Sequence, residues 1–239
     1  MLAGLLFLPL LRIRLLPRPV VPGLLVVGAL QFGVTYICLY QSFEYISVPE
    51  VLLFTIFTPL HVALIDDLLN RRFSLGPLVA AAIAVLGAGI MRYDGLSDSF
   101  IRGFLILQLA NFTFAAGQVG YAHLVRRYEL TSTQQWRGFG LFFIGALMVM
   151  LPAWLLLGNP ERLPHTALQW SVLAWLGLVA SGLGFLFWNR GAAQVDAGTL
   201  GIMNNALVPA GLLVNLLIWN HDADLLRLAA GSAVIGLSL

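Results

Sequence analysis

Nine apolar stretches, separated by short polar or proline-containing segments, follow one another along the 239-residue chain. A membrane-spanning helix needs about 20 apolar residues, because each residue adds about 1.5 Å and the hydrocarbon layer is about 30 Å thick. The stretches cover residues 1–16, 22–43, 49–69, 75–91, 101–125, 137–157, 168–189, 198–219 and 225–239, the first and last being short for a full span. This pattern predicts an all-α membrane protein.

The overall composition supports the same class. The chain is 59% hydrophobic and 10% charged, whereas a soluble domain is usually about 45–50% apolar and about 25% charged. A formal net charge of +2, carried by arginines without any lysine, gives no indication of a nucleic-acid partner. The single cysteine, Cys38, lies in an apolar stretch and excludes a disulfide framework.

The arginines predict the orientation, because cytoplasmic loops of membrane proteins are enriched in basic residues. When the loops are assigned to alternate sides, one side receives Arg12, Arg14, Arg18, Arg71, Arg72, Arg126, Arg127, Arg137 and Arg190. The other side receives Arg92, Arg102, Arg162 and Arg227. We therefore expect the first side to be cytoplasmic, in a multi-pass protein of the bacterial inner membrane whose first residue starts outside.

An internal repeat becomes visible when each residue n is aligned with residue n+150. Pro59 then matches Pro209, and Thr55 matches Asn205. Residues 1–94 form a first repeat with four helices, and residues 100–239 form a second with five, of which the last is short. A unit with an odd number of spans must be inverted in the membrane relative to its partner, as in many secondary transporters. The repeat leaves helix 101–125 without a counterpart in the first half.

Several segments resemble the EamA type of the drug/metabolite transporter superfamily. They are YICLYQSFEYISVPEVLLFTIFTPLHVAL, FAAGQVGYAHLVRR and FLFWNRGAAQVDAGTLGIMNNALVPAGLLVN. The resemblance implies an inverted-repeat bundle of ten helices, of which this sequence shows nine, four plus five, without the family's first helix. It also implies secondary transport of small organic metabolites. The sequence departs from the family where a glutamate follows the proline, because Asn70 and Asn220 lie near that place.

Proline 59 should lie near the bilayer centre, about 15 Å into helix 49–69. A proline within a helix removes one hydrogen bond and clashes with the carbonyl four residues earlier, which is that of Thr55. We expect a kink there that leaves a backbone acceptor to be satisfied by protein or by a wet cavity. Pro209 repeats the arrangement with Asn205. The alternative is that each proline only shapes helix packing.

Polar and kink-forming residues near the expected midplane are the candidate substrate-binding residues, because polar groups deep in membrane helices face a bundle interior or a cavity. They are Gln31, Thr35, Thr55, Pro59, His61, Gln108, Asn111, Trp188, Asn204, Asn205 and Pro209. The alternative for the amides is hydrogen bonding between helices, and for His61 and Trp188 it is core packing. Helix 137–157 is apolar all round and is expected to face lipid. Asp66 and Asp67 are expected at a solvated helix end near Arg71 and Arg72, or at a cytoplasmic gate.

The sequence contains no phosphate-binding loop, dinucleotide-binding glycine pattern, HExxH or CxxC motif. No cofactor or metal is therefore expected, and a membrane enzyme is disfavoured because no catalytic group can be assembled. We interpret the chain as a secondary transporter of small organic metabolites, such as amino-acid-like, carboxylate or amine solutes, working by alternating access. Its expected partners are a small-molecule substrate and the lipid bilayer, and a homodimer is left open. The alternative is an inactive, truncated remnant of a transporter.

Overall fold

The helical content follows directly from the apolar stretches. A computed structural model describes residues 2–47, 51, 54–76, 78–79, 82–83, 86, 100–206, 210 and 233–234. Within these ranges every regular element is helical and no strand occurs, which confirms the prediction of an all-α protein. The predicted helices at 75–91 and 225–239 lie largely outside the described residues, and so does Pro209.

Eight α-helical elements can be numbered along this part of the chain. They are α1 (Leu2–Phe7), α2 (Val20–Ser42), α3 (Thr58–Asn70), α4 (Phe100–Arg127), α5 (Ser132–Gly138), α6 (Gly140–Leu157), α7 (Ala167–Ala192) and α8 (Ala197–Asn205). Short 3₁₀ turns cover Leu8–Leu10, Ile13–Leu15, Thr55–Phe57 and Pro160–Arg162. The stretch predicted at 1–16 is therefore not one continuous helix.

Three helical runs are long and apolar enough to cross a membrane within the described residues. They are α2, the run formed by α5 and α6 (Ser132–Leu157), and α7. Helix α4 has 28 residues and carries polar side chains in its middle. The lengths and composition of these runs confirm that the chain is a membrane protein.

Helices α2 and α7 each contain a π-helical segment, with wider turns than the α-helix around it. The segments are Ala29–Val34 and Leu176–Gly184. Under the offset of 150 residues, positions 29–34 fall on 179–184, inside the second segment. Such π segments are rare and are found frequently at functional sites. Their matching positions support the predicted repeat, which itself remains a prediction.

The chain divides into two compact units, each assembled from two separate parts of the sequence. Unit 1 comprises Met1–Ile37 and Ala116–Gln194, and unit 2 comprises Cys38–Ala115 and Val195–Leu239. Each unit therefore takes residues from both predicted repeats, 1–94 and 100–239.

Close packing of α2 against α6 organises unit 1. A Cβ on Gly28 would lie 2.6 Å from the carbonyl carbon of Phe142, and a Cβ on Gly145 would lie 2.8 Å from that of Leu25. These distances are possible only because both positions are glycine, which allows the two backbones to approach closely. The expectation that helix 137–157 faces lipid all round is wrong for its first half, which this packing buries. The second half, from Met148 onward, is mostly exposed.

An aromatic cluster fills the core of unit 1 next to that crossing. The ring of Phe32 stacks on Phe143 with a centroid separation of 5.5 Å and meets Phe185 edge-on at 4.9 Å. Phe7 of α1 stacks on Phe143 at 5.6 Å. These contacts join α1, α2, α6 and α7, since offset and edge-on aromatic pairs are favourable beyond the area that they bury.

Unit 2 is built around the packing of α8 against α3. A Cβ on Gly201 would lie 3.2 Å from both the Cα and the Cβ of Pro59, so glycine allows α8 to approach the proline. Asp196 caps the N-terminus of α8, and its side chain accepts a hydrogen bond of 2.9 Å from the Thr199 N–H. This bond lowers the pKa of the Asp196 carboxyl below its usual value, because it favours the charged form.

The predicted orientation can be tested at two exposed loops. After Cys38 is replaced by serine, Ser132→Cys and Glu161→Cys place single thiols at exposed positions on opposite sides of the predicted membrane. We expect a membrane-impermeant maleimide to label residue 161 in intact cells, and residue 132 only after lysis. Labelling of residue 132 in intact cells would show that the assignment from the arginines is inverted.

Candidate functional site

The helix predicted at 49–69 is interrupted just before Pro59. Instead of a continuous kinked helix, the chain forms a 3₁₀ turn over Thr55–Phe57, and α3 begins at Thr58. The Thr55 carbonyl accepts hydrogen bonds from the Thr58 N–H and, at 2.7 Å, from the Thr58 hydroxyl. The proline therefore sits in the first turn of α3, where its missing N–H is tolerated.

Two neighbouring carbonyls at this interruption are satisfied by side-chain amides from other helices. The Phe54 carbonyl accepts hydrogen bonds from Asn111 Nδ2 at 2.9 Å and from Gln108 Nε2 at 3.2 Å. The Ile56 carbonyl accepts one from Asn205 Nδ2 at 3.2 Å. A backbone carbonyl without a partner is costly in lipid, so these three amides stabilise the break.

His61 lies beside the same turn. Its Nδ1 lies 3.1 Å from the Phe57 carbonyl oxygen, and its ring meets Phe112 edge-on. Asn204 Nδ2 donates to the Leu200 carbonyl within α8. The structure thus brings one set of predicted residues to the interruption of this helix. They are Thr55, Pro59, His61, Gln108, Asn111 and Asn205.

The acidic pair at the end of α3 is buried rather than solvated. Asp66 and Asp67 are each less than one-tenth exposed. Arg72 Nη2 lies 2.6 Å from Asp66 Oδ2, and Arg72 Nε lies 3.6 Å from Asp67 Oδ1. Arg71 adopts the left-handed conformation that ends the helix, with φ of 49°. Arg72 therefore forms ion pairs with both carboxylates at the C-terminal end of α3.

Gln31 is the candidate with the most unusual surroundings. It lies in the π segment of α2, is completely buried, and neither its amide nitrogen nor its amide oxygen has a hydrogen-bond partner. The side chain lies against Gly117 of α4, where a Cβ would come within 2.9 Å of Gln31 Cγ. Each unsatisfied buried group costs about 1–3 kcal/mol. A polar partner that bonds to Gln31 Nε2 and Oε1 would therefore remove an energetic cost.

Helix α7 adds two more polar groups without partners to unit 1. The indole Nε1 of Trp188 and the amide Oδ1 of Asn189 are buried and unbonded, while Asn189 Nδ2 donates to Phe185. Helices α2 and α7 meet through the Phe32–Phe185 contact, one residue from Gln31 and three from Trp188. Thr35 instead bonds its hydroxyl to the Leu30 carbonyl at 2.9 Å. Asn189 was missed from sequence, although it follows Trp188 directly.

Within the described residues, no group of three histidine, cysteine or carboxylate side chains could hold a metal ion. The candidate residues thus form two sets of mainly neutral polar groups, one in each unit. Gln31, Thr35 and Trp188 belong to unit 1, and the remaining described candidates belong to unit 2. Such groups can recognise a solute by hydrogen bonding.

Comparison with known proteins decides the family. The sequence profile of the EamA-like transporter family matches residues 1–93. A protein of Pseudomonas aeruginosa named "Probable biotin transporter" is 63% identical over all of this chain and 83% of its own length. The chain belongs to the EamA-like transporter family.

Further relatives agree with this assignment. The "Biotin transporter" of Escherichia coli K12 is 48% identical over all of this chain and 79% of its own length, and so is that of Salmonella typhi. A solved crystal structure shares the fold with a TM-score of 0.76 over 99% of this chain and 82% of that chain, at 17% identity. The resemblance drawn from sequence is confirmed, and this EamA-like protein is a small-molecule transporter rather than an enzyme.

Proposed function

We propose that this EamA-like protein transports biotin across the bacterial inner membrane by alternating access. The observation that carries the proposal is the identity of 48–63% over the full chain to relatives named as biotin transporters. Residues 1–94 and 100–239 act in this proposal as the two repeats of the transporter. The substrate proposal goes beyond the family, because the family alone implies only a small organic solute.

The unpartnered groups of unit 1 suit the chemistry of biotin. The ureido ring of biotin presents N–H donors beside a carbonyl acceptor. A primary amide offers the complementary pair, and both polar atoms of the Gln31 amide lack partners. The Trp188 N–H adds a donor, and Asn189 Oδ1 adds an acceptor. In this proposal Gln31, Trp188 and Asn189 bind the ureido ring, and the apolar sulfur-containing ring fused to it suits the aromatic surroundings of Phe32 and Phe185.

Biotin uptake provides the direct test. Cells that lack their own biotin synthesis and import should accumulate labelled biotin when they produce this protein, and excess unlabelled biotin should compete. An inserted and stable protein that shows no uptake above the background would contradict the proposal. The same result with other small organic solutes would favour the inactive remnant.

Gln31→Leu separates a binding role from a purely structural one. Leucine has a similar size but needs no hydrogen bonds, so we expect the variant to be more stable, with Tm raised by about 2–4 °C for each kcal/mol regained. Uptake should nevertheless fall at least about tenfold, because losing one good hydrogen bond to the substrate corresponds to about 1.4 kcal/mol.

The control is Gln41→Leu, the same substitution at an exposed position of the same helix. It should leave both uptake and Tm nearly unchanged. If Gln31→Leu raises Tm and transports biotin normally, Gln31 does not bind the substrate. The question of biotin transport itself would still be answered by the uptake of the unmodified protein.

A further inference from the structure

A pocket of about 400 Å³ in unit 1 has a lining that includes none of the candidate substrate-binding residues. It is lined by Leu10, Ser132, Thr133, Trp136, Arg137 and Arg190. The polar groups of these lining residues are two guanidiniums, two hydroxyls and the indole N–H of Trp136. All of these groups can donate hydrogen bonds, and the guanidiniums are always charged.

No carboxylate in the described part of the chain forms an ion pair with either arginine. Within the described residues, the ion pairs are those of Arg72 with Asp66 and Asp67. Arg137 donates only a long hydrogen bond of 3.4 Å, to the Leu10 carbonyl. Both arginine residues are half-buried. Two half-buried cations in one pocket favour an anion, and arginine suits phosphate because its planar fork can form two parallel hydrogen bonds.

Apolar side chains next to the pocket are exposed. Leu8 is 41% exposed, and Phe187 is 59% exposed. Phe187 meets Trp136 edge-on at 6.4 Å and lies one helical turn from Arg190. In a membrane protein such exposed apolar groups contact acyl chains, and tryptophan is enriched at the level of the headgroups. The pocket thus combines a cationic interior with an apolar border.

We propose that this pocket binds the phosphate of an anionic phospholipid headgroup, with the acyl chains lying against Leu8 and Phe187. Arg137 and Arg190 contact the phosphate, while Ser132 and Thr133 donate to its oxygens or to the headgroup. Basic pockets between membrane helices bind anionic headgroups in other proteins. The lipid would hold together the ends of α5 and α7, which carry the two arginines.

Binding can be measured on the purified full-length protein in detergent micelles. Phosphatidylglycerol should raise Tm more than phosphatidylcholine does, and the difference should shrink as salt screens the charges. Arg137→Gln/Arg190→Gln should weaken the apparent affinity for phosphatidylglycerol about thirtyfold, at about 1 kcal/mol for each arginine. Arg137→Lys/Arg190→Lys keeps the charge and should restore part of the affinity.

The matched control is Arg14→Gln/Arg127→Gln, which removes two exposed arginines of unit 1 that do not line the pocket. It should retain the full response to phosphatidylglycerol. An equal loss in both double variants would overturn the proposal, because it would show a general effect of charge. Equal stabilisation by soluble glycerol phosphate, or displacement of the lipid by biotin, would also overturn it in favour of a site for free anions.

Discussion

Gly145→Ala is expected to be one of the two most destabilising single changes considered, together with Gly28→Ala. The added Cβ would lie on the backbone of α2, 2.8 Å from the carbonyl carbon of Leu25 and 3.0 Å from its Cα. Backbone atoms cannot rotate away as a side chain does, so α2 and α6 must separate. Overpacking costs about 1–3 kcal/mol and occasionally more, and here the displacement also disturbs the aromatic cluster beside it.

Thermal unfolding in detergent measures this effect. We expect Tm to fall by roughly 2–12 °C, at about 2–4 °C for each kcal/mol. Gly28→Ala should act similarly, and the double variant should cost less than the sum because both changes push apart the same two helices. Gly191→Ala is the control, since a Cβ there meets nothing within 4 Å. It should leave Tm unchanged or raise it, because alanine favours the helix. An unchanged Tm in Gly145→Ala would contradict the close crossing.

The apolar stretches located the long helices well, because burial in lipid demands the same length and composition in any fold. The predicted stretches 22–43 and 168–189 correspond to Val20–Ser42 and Ala167–Ala192. The π segments inside both helices could not be predicted. A π-helix differs from an α-helix in the residue spacing of its backbone hydrogen bonds, and hydrophobic periodicity does not reveal this spacing. The lipid-facing assignment of 137–157 failed for the first half of that helix, because its glycine at position 145 allows close packing that hydropathy does not detect.

The candidate site was only partly visible in the sequence. Pro59 marked the interruption of its helix, because the missing N–H and the ring clash act locally. The sequence could not show which groups would satisfy the released carbonyls, since Asn111 and Asn205 are 57 and 149 residues from their acceptors. Their roles as substrate ligands remain predictions, and the structure adds a structural role for their amide N–H groups.

That structural role gives the second large effect, in the variant Gln108→Leu/Asn111→Leu. It removes both side-chain donors that the structure shows on the Phe54 carbonyl, at 3.2 and 2.9 Å. In the 3₁₀ turn over Thr55–Phe57 the Phe54 carbonyl also accepts the Phe57 N–H, so the variant removes two side-chain hydrogen bonds and leaves this backbone one. At about 0.5–1.5 kcal/mol for each bond, the loss corresponds to a fall in Tm of roughly 2–12 °C.

Separate single variants reveal how the two amides share the carbonyl. Asn111 forms the shorter bond and is buried, so Asn111→Leu should account for most of the loss in Tm, with Gln108→Leu adding the remainder. Thr113→Val on the same helix is the control, because its hydroxyl bonds to Leu109 and Ala110 within α4. It should change Tm by less than about 4 °C, which is the largest shift that corresponds to about 1 kcal/mol.

Comparing stability with uptake then assigns the role of these amides. If they only stabilise the break, total uptake should fall only in proportion to the fraction of unfolded protein. Low temperature, at which the variant is folded, should then restore the uptake. If they also bind the solute, uptake should stay low even where the variant is fully folded. A double variant with normal Tm would show that the Phe54 carbonyl does not depend on these amides, which would contradict the proposed stabilisation of the break.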